Sequence, residues 1–142
     1  MQMRLLFAGF FEAAAAVQQP GNWAVGWILV LAAFVSGAML GVGWHREDFL
    51  GGYASFRRRV MRLGHIAFAA LGLINVIFSL SPLPTPGTTA ARLASICFIA
   101  GGVLMPTVCF LTGWRAAWRH AFVVPVLSLI AAVVLTLWGG LT

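Results

Sequence analysis

From Trp23 to Trp44 the chain reads WAVGWILVLAAFVSGAMLGVGW, with no charged side chain anywhere in the run. Three further runs share this character. One follows Arg62 and ends before Ser81-Pro82, one goes from about Arg92 to Gly113, and one from about Ala121 to Trp138. Each holds roughly 18–22 residues, the length at which a helix crosses a hydrocarbon core about 30 Å thick. Unpaired backbone amides are too costly in lipid for the runs to be anything but helices. The expected fold is therefore all-α, an integral membrane bundle of about four transmembrane helices. The spans fall at about 23–44, 62–80, 92–113 and 120–138, within a bundle covering 23–142.

A soluble fold is excluded by composition. Only 8% of the residues are charged and 61% are hydrophobic, whereas a soluble domain carries roughly 25% charged residues. The connections agree with the four spans. Residues 45–61 are polar, with HRED and then Arg57-Arg58-Arg59. SPLPTPGTT after the second span is a segment that a helix does not cross. WRAAWRH, between the third and fourth spans, is short enough to make those two antiparallel neighbours.

The formal charge of +6 comes from arginine alone, since the chain has no lysine. These arginines lie beside apolar runs and not in a stripe with interleaved aromatics, which argues against nucleic acid as a partner. With four spans, Arg46, Arg57, Arg58, Arg59, Arg62, Arg115 and Arg119 fall on one side of the membrane, and Arg4 and Arg92 on the other. The positive-inside rule makes the arginine-rich side cytoplasmic, with an inner-membrane location in a bacterium. The tryptophans mark two interfaces, Trp23, Trp27 and Trp138 the outer and Trp44, Trp114 and Trp118 the inner.

Residues 1–22 resemble a signal peptide, with Arg4, a short apolar stretch and an alanine-rich segment. Glu12 interrupts that apolar core, and a retained, short N-terminal interfacial helix is the expectation, a fifth, tilted span being the alternative.

Side chains three or four residues apart share a helix face. In the second span such a face holds His65, Phe68, Gly72, Asn75 and Ser79, and in the third Ser95, Gly102, Met105, Cys109 and Thr112. In the first, Ala33, Gly37 and Gly41 form a small-xxx-small series that permits close helix contact. Asn75, Ser79, Ser95 and Thr112 are expected to hydrogen-bond across helices. Pro106 and Pro125 are expected to kink theirs.

His45, His65 and His120 all fall near the arginine-rich face. Two imidazoles facing each other across a bundle supply both axial ligands of a b-type haem. His65 and His120 are the candidate ligands. Gly64 and Gly72 would leave room for the porphyrin, and Arg62, Arg115 and Arg119 would pair with its propionates. In layout this resembles the four-helix bundles of membrane b-type cytochromes and haem A synthase, which carry histidines on alternate helices at one membrane face. The alternative is that His65 hydrogen-bonds a neighbouring helix and the other two are ordinary interfacial residues. Met105 and Cys109, an i, i+4 pair, suit Cu(I) in type but are also ordinary apolar fillers. Cys97 and Cys109, roughly 18 Å apart along one helix, cannot pair with each other.

No nucleophile triad, phosphate loop or soluble domain points to an enzyme. The expected role is a small accessory subunit of a larger respiratory or photosynthetic electron-transfer complex, surrounded by lipid. The alternatives are a purely structural subunit without cofactor, or a small proton-coupled transporter, in homo-oligomers, using Glu12.

Overall fold

The computed structural model describes residues 17–141, which contain no strand. Four long helices follow in order: α1 (Pro20–Val42), α2 (Phe56–Leu80), α3 (Thr89–Trp114) and α4 (Val123–Leu141). Short 3-10 segments lie at Gly43–His45 and Phe49–Gly51, and a longer one at Ala116–Phe122 leads into α4. With these extensions each of the four units holds an 18-residue window of mean hydropathy between 2.0 and 2.5, and all four are long and apolar enough to cross a membrane. The chain is thus a multi-pass all-α membrane protein, as its apolar runs require. The interfacial helix expected at the N-terminus, and Glu12 with it, lie outside the described residues.

The first three helices begin earlier than the apolar runs do, for local reasons. Pro20 starts α1 with a residue that has no N–H to leave unpaired. Ser55 caps α2 by accepting the Arg58 N–H at 3.1 Å. Thr88 caps α3 through the Ala91 N–H at 3.2 Å. Arg57, Arg58 and Arg59, expected in a loop, are therefore helical. The expected kink at Pro125 gives way to something simpler. Pro125 is the third residue of α4, where a missing N–H costs nothing because a helix start leaves it unpaired anyway. Pro106 does lie inside α3.

Close approaches at glycines set the register. A Cβ on Gly26 would lie 2.8 Å from the Gly72 carbonyl oxygen, and one on Gly72 would lie 2.9 Å from that of Gly26. Further along the same pair, Gly37 lies under the His65 ring. Between α2 and α3, Gly64 lies under Cys109 and Phe110, and the Phe78 and Phe98 rings are 4.9 Å apart. Between α3 and α4, Leu129 covers Gly101, and the Ser128 hydroxyl donates to the Cys97 carbonyl at 2.9 Å. Each successive pair is antiparallel, so the chain runs up, down, up and down.

The result is an open row more than a closed bundle. Helix α3 packs against α1, α2 and α4, while α1 and α4 make no substantial contact. A small core of Phe78, Ala94, Phe98 and Ala132 joins α2, α3 and α4 near the arginine-poor end.

Candidate functional site at the arginine-rich end

The end of the molecule that carries the arginines is built from the α1–α2 corner and the 3-10 segment before α4. Trp44 leaves α1 through the 3-10 turn Gly43–His45, and Tyr53 precedes the Ser55 cap of α2. Their rings meet edge to face, with centroids 6.5 Å apart. The Arg58 guanidinium lies 5.0 Å from each ring centroid, and Arg62, one turn on, lies 5.8 Å from Trp44 and 5.3 Å from Tyr53. Two cations thus share one pair of aromatic faces. Arg58 is only 3% exposed, and these ring contacts are its side chain's partners among the described residues. A guanidinium is weakly hydrated and stacks on aromatic rings, which explains how it is buried here without a carboxylate. Arg62, the expected propionate partner, lies in this cluster.

His65 is half-buried and turned toward α1. Its Nδ1 lies 3.2 Å from the Ser36 hydroxyl, whose own proton is donated to the Ala33 carbonyl at 3.1 Å. The arrangement that satisfies all three groups puts the hydrogen on Nδ1, with Ser36 accepting it. The ring lies on Gly37, where a Cβ would come within 2.7 Å of Cε1.

His120 has a different setting. It is exposed in the 3-10 segment that packs on α3 and α4, and its Nε2 accepts from the Arg119 Nε at 3.4 Å. The two histidines therefore have separate neighbours, and no contact joins them. Gly64 and Gly72, expected to leave room for a porphyrin, are filled by helix contact. The Cβ space of Gly64 belongs to Cys109 and Phe110, and that of Gly72 to the α1 backbone at Gly26 and Val30. Arg115 is exposed at the end of α3, and Arg119 is exposed beside His120. His45 is exposed in the loop. Cys109 is buried under Gly64, whereas Met105 lines a groove between α2 and α4. Among the described residues no three His, Cys, Asp or Glu side chains come together as a metal site would require.

At the opposite end, three helices are joined by polar side chains. Asn22 donates to the Asn75 Oδ1 at 2.8 Å and accepts from the Ser95 hydroxyl. Asn75 in turn donates to the carbonyls of Leu71 at 2.9 Å and Phe98 at 3.2 Å. Both asparagines are fully buried. Of the four expected interhelical bonders, Asn75 and Ser95 act across helices. Ser79 bonds back to Val76 of its own helix at 2.6 Å, and the buried Thr112 hydroxyl has no partner among the described residues. Asn22 was missed because it precedes the apolar run, and Ser36 because it is one residue from the Ala33–Gly37 stripe. A signal was available for both, since Asn and Ser are rarely tolerated in a span without an acceptor nearby. No family model, curated protein or solved structure matches the chain.

Proposed function

We propose that this protein is a small accessory subunit of a larger membrane complex, acting by lateral packing in the bilayer and not by chemistry of its own. The observation that carries this reading is the unequal burial of the four helices. The most apolar windows of α2 and α3 are 44% and 39% buried, against 17% for the unit containing α1 and 11% for the unit containing α4. The interior polar groups are largely committed to one another. The flanks instead present bulky apolar side chains, such as Ile28, Leu31 and Phe34 on α1 and Ile130, Val134 and Leu137 on α4. A chain with two such flanks suits a position between a partner and the surrounding lipid. An electron-transfer host fits the histidines and arginines gathered at one end, although His65 is engaged with Ser36 and Gly37.

The test is extraction of the native membrane directly into lipid nanodiscs, followed by native electrophoresis and mass spectrometry. The chain is expected in an assembly well above its own 15.2 kDa, with the same companion polypeptides each time. Ile130→Trp together with Val134→Trp is expected to release it with its helicity unchanged. Recovery of the chain alone, or only with copies of itself, overturns the reading. A reduced-minus-oxidised visible spectrum of the same assembly shows whether the host carries b-type haem.

A further inference from the structure

On the outer side of α2, the face opposite the α1 contact is lined by Arg59, Leu63, Ile66 and Ala70, which recur at helical spacing. A shallow recess of about 300 Å³ at Phe56, Arg59, Val60 and Leu63 meets, at Leu63, an apolar groove of about 400 Å³ between α2 and α4. Phe122 and Leu129 form the far wall of that groove. In a 3-10 helix residues three apart are eclipsed, which puts Arg119, hydrogen-bonded through Nε to His120, on the same face of that segment as Phe122. A cationic head thus sits over a wholly apolar trough. From Arg59 to Ala70 the trough runs roughly 16 Å along the helix, about half of a 30 Å hydrocarbon core and hence one leaflet.

Electrostatics calls for an anion at this head. Arg57, Arg58, Arg59 and Arg62 occupy the first two turns of α2, and no acidic residue is in its first turn. Cations there oppose the helix dipole. The ion pair formed among the described residues, Arg46 with Asp48 at 3.8 Å, is exposed and lies outside the helix. Neither Arg59 nor Arg119 has a carboxylate partner among the described residues.

We propose that this trough is a binding site for an anionic diacyl phospholipid, its phosphate held by Arg59 and Arg119 and one acyl chain laid along Leu63, Ile66 and Ala70. Clustered arginines beside a span attract anionic headgroups by about 1 kcal/mol each, and the groove adds a shape that a general charge cloud lacks.

The experiment is native mass spectrometry of the delipidated full chain in mild detergent, titrated with phosphatidylglycerol or phosphatidylcholine of matched acyl chains. Retention of phosphatidylglycerol is expected to exceed that of phosphatidylcholine about thirtyfold, the effect of two charge contacts of that size. Arg59→Gln with Arg119→Gln is expected to abolish the difference. Arg57→Gln with Arg115→Gln, an equal change in charge on two exposed residues at the same end, is expected to keep most of it. Ala70→Phe, which fills the groove, is expected to weaken retention of phosphatidylglycerol with circular dichroism unchanged. Equal losses in the two double variants, equal retention of the two lipids, or indifference to Ala70→Phe would each overturn the proposal.

Discussion

The two ends of this small row of helices handle polarity in opposite ways. At the arginine-poor end, Asn22, Asn75 and Ser95 form a network in which both amides are engaged and nothing faces outward. At the arginine-rich end, Arg58 and Arg62 rest on aromatic faces, the Thr112 hydroxyl lacks a partner among the described residues, Arg59 lines a shallow recess and Arg119 is exposed beside His120. A satisfied network in lipid fixes helix geometry, because any other arrangement leaves amides unpaired. Cations without a carboxylate partner among the described residues instead invite an anion from outside the chain. The comparison assigns architecture to one end and recognition to the other.

The most damaging change should be one that forces apart the helices both ends share. Gly72→Leu places side-chain atoms against the Gly26 carbonyl oxygen and the Val30 amide, backbone atoms that cannot rotate away. Overpacking of this kind is expected to cost about 3 kcal/mol, the upper part of the usual range. Unfolding measured by steric trapping in a bilayer checks it. Gly41→Ala is the internal control, since nothing lies within 4 Å of a Cβ there. A cost at Gly72 as small as at Gly41 would mean that α1 and α2 do not meet as described.

Next in size is Asn75→Ala, which removes a donor to two carbonyls and an acceptor for Asn22. At about 0.6 kcal/mol for each bond in a membrane protein, the loss is expected near 2 kcal/mol. It should loosen α1, α2 and α3 at the arginine-poor end while leaving the Trp44–Tyr53 corner intact, which amide exchange resolves segment by segment. Uniform loosening of both ends would dissolve the distinction drawn between them.

How much of this was legible in the sequence depends on the kind of signal. Charge-free runs located all four spans, because exclusion of charge is what hydrocarbon demands. Helix limits were legible only from caps, so the Ser55 and Thr88 starts lay beyond the apolar boundaries. The polar face of α2 held the right residues but not their partners. Periodicity says that His65 and Asn75 point inward, yet not which helix they meet. Hence the sequence left His65 open to two readings, a ligand opposite His120 or a hydrogen bond to a neighbouring helix, and its partner in the fold is Ser36 of α1. Gly72 shows the same ambiguity, since a missing side chain can make room for a ligand or for a backbone. Here the backbone of α1 takes it. The pairing of Tyr53 with Trp44 and Arg58 depends on how a loop folds back, and no spacing encodes that.

A third test belongs to the arginine-rich end alone. Arg58→Leu keeps an apolar body of similar bulk but removes the cation shared between Trp44 and Tyr53. A desolvated cation–π contact is worth up to about 2 kcal/mol, and the loss is expected between about 1 and 2. Faster amide exchange should be confined to residues 43–55, with the Asn22–Asn75 contact unmoved. If Arg58→Leu stabilised the protein instead, the buried guanidinium would be retained for a ligand and not for the fold, which would move it from the corner's architecture into its recognition surface.

The smallest effect is the most informative about His65. Ser36→Ala removes one hydroxyl and leaves the imidazole on Gly37. One interhelical bond at this position is worth about 0.6 kcal/mol, so unfolding should shift by little more than that. The decisive reading is the tautomer. With Ser36 accepting, the hydrogen belongs on Nδ1, and ¹⁵N shifts of the His65 ring should report that form in the wild type and a mixture in Ser36→Ala. If the ring instead kept its tautomer and unfolding did not shift, His65 would be held by a partner other than Ser36. A visible band of the native assembly that moved with Ser36→Ala would name that partner as a chromophore bound to the histidine. The arginine-rich end would then hold a ligand inside the helix row as well as at its rim.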